Sequence, residues 1–144
     1  MLSDIYQRLY DQLKTSIPED RLIHDDLRTL AYGTDASFYR YVPNLIVKVE
    51  SEQEVIATLQ ACRALGVAVT FRAAGTSLSG QACTDAVLMV LGDKGWHDHA
   101  IADDHSEITL QAGLRGAEAN RLLAPFGKKI GPDPASIDSA KIGG

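Results

Sequence analysis

A strand, an amphipathic helix and a second strand follow one another in the middle of the chain. The β-branched run at residues 45–49 (LIVKV) predicts a buried strand, and Ser51 with Glu54 predicts a capping box that begins a helix. Gly66 is typical of the residue that ends a helix, and residues 67–72 (VAVTFR) predict the second strand. The helix face expected to be buried comprises Val55, Leu59, Cys62 and Leu65. The pattern therefore predicts a βαβ unit with a right-handed crossover.

A loop of small residues, FRAAGTSLSGQA at 71–82, leaves the carboxyl end of the second strand. Open α/β sheets place their ligands at that end. A backbone without large side chains can turn several N–H groups toward one anion, and neighbouring hydroxyls add donors. The alternative is a glycine-containing surface turn, but simple turns do not combine Arg, Thr, two Ser and Gln with two glycines. The composition favours a phosphate-binding loop.

Three familiar glycine motifs do not fit this loop. Gly75 and Gly80 have the spacing of a P-loop, but Gln81 and Ala82 stand where Lys and Ser/Thr must bind phosphate and Mg²⁺. Ser79 occupies the closing glycine of the hydrolase elbow Gly-x-Ser-x-Gly. The dinucleotide motif Gly-x-Gly-x-x-Gly is absent. The loop therefore argues against a kinase, an esterase and a Rossmann domain.

The flanking segments predict further elements. Residues 1–34 predict a helical N-terminal segment, and residues 35–144 are expected to form the ligand-binding domain. Residues 86–91 and 108–113 predict two more strands, and a helix is expected to run from 114 to Phe126. A glycine pair with no closing element ends the sequence, so we expect a domain that is truncated at its C-terminal side.

A group of possible metal ligands lies between the third and fourth predicted strands. It comprises His97, Asp98, His99, Asp103, Asp104 and His105. Zinc needs such ligands to converge from fixed positions, whereas a polar connection between strands is ordinarily mobile. We therefore expect a mobile connection here and no metal site.

Composition narrows the class of partner and the location. The net charge of −5 and the lack of a Lys/Arg cluster argue against nucleic acid. No apolar run approaches the roughly 20 residues that span a bilayer. We expect a cytoplasmic protein, membrane-associated at most as the full-length polypeptide, with Cys62 and Cys83 as reduced thiols.

Four stretches carry a resemblance to a known family. They are residues 32–40 (YGTDASFYR), 72–81 (RAAGTSLSGQ), 131–136 (GPDPAS) and 141–144 (KIGG). In this order they resemble the FAD-binding (PCMH-type) domain of the vanillyl-alcohol oxidase superfamily, and within it the flavin-dependent D-lactate and glycolate dehydrogenases, some fused to iron–sulfur modules. The resemblance implies an α+β fold: a first α/β subdomain with the βαβ unit, plus the start of a second subdomain.

The resemblance also implies which residues contact FAD. Those expected around the pyrophosphate are Ala73, Ala74, Gly75, Thr76, Ser77, Gly80 and Gln81, with Arg72 ending the strand beneath them. Those expected on the flavin side are Pro132, Asp133 and Ser136, and the next cofactor-contacting turn begins at Ile142, Gly143 and Gly144. The catalytic residues are not identified and are expected beyond residue 144.

Two departures from the family pattern carry expectations. Ala73 and Ala74 replace two glycines of the commoner loop, so both should avoid positive φ. Thr76 stands where relatives with covalent flavin carry His, so FAD should be bound non-covalently. A branched side chain in place of Gly75 should occupy the phosphate position and leave the fold intact.

The implied function is oxidation of a 2-hydroxy acid such as D-lactate or glycolate, by hydride transfer to flavin in the full-length protein. The electron acceptor is open between a quinone and an iron–sulfur module, and the 144-residue chain alone should be inactive. The alternative is a non-catalytic nucleotide- or anion-binding module that uses the same loop.

Overall fold

A computed structural model describes residues 2–144 of the chain. Its helices are α1 (Asp4–Leu13), α2 (Asp26–Tyr32), α3 (Glu52–Leu65) and α4 (Gly116–Leu123). Its strands are β1 (Leu22–Ile23), β2 (Leu45–Val49), β3 (Val69–Arg72), β4 (Val87–Leu91), β5 (His99–Ile101) and β6 (Ile108–Leu110). Short 3-10 turns at Glu19–Arg21 and Ala124–Phe126 complete the regular elements of these residues.

The main sheet has the strand order β1-β2-β4-β3. β1 is antiparallel to β2, whereas β2, β4 and β3 are parallel, with Met89 of β4 between Val47 of β2 and Phe71 of β3. The predicted strands and helix of the βαβ unit are present, but β4 lies between β2 and β3. The crossover α3 therefore connects two strands that are not neighbours, and its right-handedness remains a prediction.

The alternation of apolar side chains along β2 and β4 gives the sheet two covered faces. Val47 and Met89 lie in a core shared with α1 and α3, to which Leu9 and Leu13 of α1 contribute. Residues on the opposite face form a smaller cluster that consists of Ile23, Ile46, Leu88 and Val90, with Tyr32 of α2 packed against it. The N-terminal segment thus supplies one strand, two helices and part of the core.

The buried face of α3 differs from the predicted one. Thr58 and Ala61 are buried with Cys62, whereas Leu59 is 39% exposed. Ala61 and Cys62 follow Thr58 by three and four positions, the spacing of one helix face, so the buried face is rotated away from Leu59, and Leu9 and Leu13 of α1 share its core. Gly66 ends the helix with φ +66°, as the sequence predicted.

The predicted capping box is only half formed. Ser51 Oγ accepts a hydrogen bond from the N–H of Glu54 at 3.3 Å. The Glu54 carboxylate instead accepts from the N–H of Glu50 at 2.7 Å and forms a two-pronged ion pair with Arg21, at 2.7 Å for each N–O pair. Glu54 therefore ties the start of α3 to the turn before β1.

A second carboxylate orders the turn after β4. Glu50 accepts hydrogen bonds from the N–H groups of residues 93–95, at 3.1, 2.9 and 2.5 Å in chain order. The Trp96 indole N–H then donates to the Val49 carbonyl at 2.8 Å. These bonds hold in place the turn that connects β4 of the main sheet to β5.

The expected mobile connection between strands is wrong, because residues 99–101 form β5. This strand pairs antiparallel with β6, His99 opposite Leu110 and Ile101 opposite Ile108. His99 and Ala100 are exposed, so β5 lacks the apolar alternation that indicates a half-buried strand, whereas β6 lies within the predicted strand at 108–113. α4 also ends earlier than predicted, at Leu123, and a 3-10 turn containing Pro125 follows it.

Candidate functional site

A cavity of ≈ 480 Å³ lies at the carboxyl end of β3, where the sequence placed the ligand. Its lining is mostly main chain and small side chains. The lining residues are Phe71, Arg72, Ala73, Ala74, Gly75, Thr76, Ser77, Leu78, Ser79, Gln81, Ala82 and Gly144. The loop that leaves β3 therefore wraps around an open space rather than packing on the core.

The backbone of this loop has unused donors. In the described part of the chain, none of the N–H groups of residues 74–78 donates a hydrogen bond to another residue. Buried or half-buried N–H groups without partners are costly unless water or a ligand accepts from them. Five successive donors beside a cavity suit a ligand with several acceptor oxygens, such as a diphosphate.

Gly75 is held against Arg72. It has φ +70°, and a Cβ built on it would lie 2.5 Å from Arg72 Nη2. Arg72 Nη1 donates to the carbonyl of Tyr32 at 3.1 Å and to that of Thr34 at 2.7 Å. A side chain at position 75 would therefore meet the guanidinium, and this contact argues against an intact fold; the effect of such a residue on the fold and on the ligand stays a prediction.

The other small residues of the loop divide by role. Positive φ values at non-glycine residues occur within residues 2–144 only at Trp96 and His105, which confirms that Ala73 and Ala74 avoid them. Ser77 Oγ accepts from the N–H groups of Ser79 at 3.2 Å and Gln81 at 3.3 Å, and contacts the Gln81 side chain. The Ser77 hydroxyl thus closes the loop on itself.

The second predicted loop reaches the cavity only at its end. Gly144 lines the cavity beside Ala73, and a Cβ on Gly144 would lie 3.2 Å from the Ala73 methyl. The N–H of Gly143 donates to Ala112 O at 3.0 Å, and that of Ile142 to Leu114 O at 2.8 Å. These two bonds hold residues 142–143 alongside the loop of residues 112–114.

The structure thus brings together eight of the residues predicted to contact FAD. They are Arg72, Ala73, Ala74, Gly75, Thr76, Ser77, Gln81 and Gly144. Gly80 faces the Tyr39 ring, Asp133 lies 3.6 Å from Lys129, and the Ser136 carbonyl accepts from the Ser139 N–H. The predicted residues outside the lining are Gly80, Pro132, Asp133, Ser136, Ile142 and Gly143.

Sequence reasoning missed the apolar and cationic neighbours of the cavity. Phe71 is 53% exposed and also lines an adjoining space of ≈ 360 Å³ next to Trp96. On the other side, Ala74 borders a space of ≈ 400 Å³ that includes Arg115 and Lys141. Phe71 belongs to the predicted strand. The one feature of the sequence that could have indicated its place at the cavity was its position as an aromatic residue at the start of the ligand loop.

Residues 2–144 were searched for groups of metal-ligand side chains and for membrane-spanning helices. No group of three or more His, Cys, Asp or Glu side chains among them converges as a metal site would require. No helix in this part of the chain is long and apolar enough to cross a membrane.

The geometry defines an α+β domain that offers a row of backbone donors to an anion at the edge of a parallel sheet. Residues 43–144 match the family model described as an FAD binding domain, so the chain belongs to this FAD-binding family and its cofactor is FAD. The free N–H groups of residues 74–78 fit the diphosphate of that cofactor.

Curated relatives agree with this family. The chain is 32% identical over 138 residues to the glycolate oxidase subunit GlcD of Escherichia coli K12, covering 92% of this chain and 27% of the relative. It is 30% identical over 121 residues to the D-2-hydroxyglutarate dehydrogenase of the same organism, covering 80% of this chain and 12% of the relative. The chain thus spans about a quarter or less of the length of these two relatives.

Solved structures share the fold. An alkyldihydroxyacetonephosphate synthase superposes with a TM-score of 0.78 at 19% identity, over 96% of this chain and 28% of that one. Glucooligosaccharide oxidase from Acremonium strictum, which carries a 6-S-cysteinyl, 8α-N1-histidyl FAD, superposes with a TM-score of 0.72 at 22% identity, over 95% and 29%. The α+β fold is thus shared with these solved structures.

Proposed function

We propose that this chain is the FAD-binding part of a dehydrogenase that oxidises a small 2-hydroxy acid, such as D-lactate or glycolate. The observation that carries the proposal is the row of unbonded N–H groups at residues 74–78 in an FAD-binding family. Its similarity to a glycolate oxidase subunit and a D-2-hydroxyglutarate dehydrogenase supports the class of substrate. When bound, the flavin of FAD supplies the hydride-accepting chemistry.

The residues of this chain would bind and orient the cofactor. The N–H groups of residues 74–78 would hold the diphosphate, and Gly144 would border it from the second loop. Arg72 would add positive charge behind the loop, where its guanidinium supports Gly75. These contacts would place the cofactor at the carboxyl edge of the sheet and exclude water from the diphosphate.

The substrate class is tested on the purified full-length protein that contains this chain, under anaerobic conditions, because the 144-residue chain alone should be inactive. We expect the flavin absorbance to bleach on addition of D-lactate, glycolate or D-2-hydroxyglutarate, with L-lactate as the stereochemical control. Retained flavin that none of these acids bleaches would contradict the proposal and favour a non-catalytic nucleotide- or anion-binding module. Reoxidation of the bleached protein by a soluble quinone, compared with an iron–sulfur protein, would then identify the class of electron acceptor.

The site is tested by filling the cavity from its wall. Ala74→Leu adds a branched side chain to a cavity-lining residue with negative φ, so it should lower flavin retention severely without backbone strain. Ala64→Leu, on the exposed face of α3, adds the same groups elsewhere and should retain FAD. Equal flavin content in the two purified variants would refute the assignment of the loop to FAD.

We also propose that FAD is bound non-covalently. In the described chain, the residues that line the cavity include no His and no Cys, and Thr76 offers only a hydroxyl. Acid precipitation should therefore release the flavin into the supernatant. Yellow colour that stays with the precipitated protein would show a covalent link.

A further inference from the structure

Residues 32–39, here named the clasp segment, contact the loop at residues 71–82, here named the FAD loop, along its whole length. This segment precedes residue 43, where the match to the family begins. The carbonyls of Tyr32 and Thr34 accept hydrogen bonds from Arg72. The Ala36 N–H donates to Gly75 O at 3.1 Å, and the Asp35 carboxylate accepts from the Ala82 N–H at 3.4 Å. The Tyr39 ring lies against Gly80. The loop is therefore held at its start, middle and end.

Asp35 is the only ionisable side chain of the clasp segment that bonds the loop in the described structure. Its Oδ1 accepts from the Ser37 N–H at 2.8 Å, which fixes the turn, while Oδ2 accepts from Ala82. Burial of the carboxyl opposes its ionisation, but the hydrogen bonds from Ser37, Ala82 and Cys83 outweigh burial and lower its pKa below the usual value. The carboxylate is thus charged at neutral pH.

None of residues 32–39 lines the cavity. Their effect on a ligand must therefore pass through the shape of the loop. A loop of small residues loses much conformational freedom when it is fixed around a ligand, and that loss lowers affinity. Contacts that fix the loop beforehand reduce the loss, so the clasp segment bears directly on how tightly the N–H groups of residues 74–78 hold an anion.

We propose that Asp35 is a positioning residue for FAD: through the clasp segment it pre-forms the loop whose N–H groups receive the diphosphate. The proposal rests on the assignment of that loop to FAD in the proposed function. It predicts that FAD affinity depends on a carboxylate that lies outside the cavity. It also predicts slower FAD association when the carboxylate is removed, because the loop must then be ordered during binding.

The test is titration of the flavin-stripped protein with FAD, followed by flavin fluorescence. Asp35→Ala should raise the Kd about tenfold, because it removes the charged acceptor of both the Ser37 and the Ala82 N–H groups. Asp35→Asn keeps an acceptor for Ser37 but loses one for Ala82, so its Kd should fall between those of Asp35→Ala and the wild type. Asp25→Asn is the matched control, because Asp25 caps α2 through the Arg28 N–H and touches no part of the loop. Its Kd should be unchanged.

Stability measurements separate positioning from a merely structural role. Melting of the flavin-free and FAD-bound proteins should show that Asp35→Ala reduces the stabilisation by FAD. Equal loss in both forms with an unchanged Kd would overturn the proposal. If Asp35→Ala does not fold, Tyr39→Ala at the 45% exposed ring should still raise the Kd, by about threefold, because van der Waals contact is weaker than a charged hydrogen bond.

The cavity variant distinguishes the two proposals. Loss of FAD in Ala74→Leu with wild-type affinity in both Asp35→Ala and Tyr39→Ala would overturn the positioning role and leave the site assignment standing. Full FAD affinity in Ala74→Leu would instead remove the assignment on which the positioning role rests.

Discussion

Replacement of Gly75 by alanine should destabilise the fold well beyond the cost of its backbone conformation. An L-residue at φ +70° costs about 1–2 kcal/mol. The new Cβ would also lie 2.5 Å from Arg72 Nη2, so the guanidinium must move away from the carbonyls of Tyr32 and Thr34. Two hydrogen bonds from a charged donor add about 1.5 kcal/mol each, which brings the expected loss to roughly 4–5 kcal/mol.

Two matched glycines isolate the terms of this sum. Gly66 has φ +66°, and a Cβ added there would meet nothing within 4 Å, so Gly66→Ala should cost only the backbone term of about 1–2 kcal/mol. Gly131 has neither positive φ nor a close neighbour, so Gly131→Ala should change the free energy of unfolding by less than about 0.5 kcal/mol. The difference between Gly75→Ala and Gly66→Ala measures the displacement of Arg72.

Urea unfolding followed by the emission of Trp96, the single tryptophan, gives these free energies. In an Arg72→Met background the Gly75→Ala cost should shrink toward that of Gly66→Ala, because the clashing guanidinium is gone. A Gly75→Ala loss no larger than the Gly66→Ala loss would refute the reasoning. So would strict additivity of Arg72→Met and Gly75→Ala.

Three further predictions concern groups away from the loop. Burial of the Glu54 carboxyl is outweighed by its bonds to Arg21, so its pKa is lowered. The resulting stabilisation is complete above the unfolded-state pKa near about 4.3 and is lost as the pH falls through the folded-state pKa. Glu54→Gln should therefore flatten the dependence of the free energy of unfolding on pH below about 4.5. Glu50→Gln should weaken the turn at 93–95 by about 1–2 kcal/mol and shift Trp96 emission to the red. Burial raises the pKa of Cys62 to about 11, so iodoacetamide at about pH 8 should label Cys62 only after unfolding, as read by peptide mass.

Each of these has a contrary outcome. An unchanged acid slope in Glu54→Gln would mean that the ion pair with Arg21 adds no pH-dependent stability. Glu52→Gln, on the exposed start of α3, is the control for Glu50→Gln, and equal emission spectra of the two would contradict the turn assignment. Labelling of Cys62 in the native protein would contradict its burial.

The sequence predicted elements wherever local chemistry determines them. The run at 45–49, which is rich in β-branched residues, produces β2 at its predicted bounds, and Gly66 ends α3 because its left-handed conformation favours glycine. The loop at 71–82 was assigned to an anion from its composition and its place after a strand, and most of the contact residues that the family resemblance implied within it line the cavity. These signals lie within a few residues of the structure they specify.

The rest depends on contacts between distant residues. No local pattern states that β4 pairs between β2 and β3, or that Asp35 bonds Ala82, 47 positions further along the chain. β5 was not predicted, because His99 and Ala100 are exposed and leave no apolar alternation. The orientation of Arg72 under Gly75 follows from the carbonyls of α2 and the segment after it, which the loop sequence does not contain.

The strand order also has a consequence for folding. β3 is made before β4 yet pairs only with β4 in the described sheet, so β3 has no ladder partner, and β2 has only β1, until residues 87–91 are available. The link between β3 and its partner is the FAD loop itself. Closure of that loop and the pairing of β4 with β3 therefore occur in the same step. That step should be late and should limit the folding rate, because the entropy lost on loop closure opposes non-local parallel pairing. Mutations that restrict residues 73–82 to their native backbone conformation should therefore accelerate refolding and also increase the affinity for the cofactor.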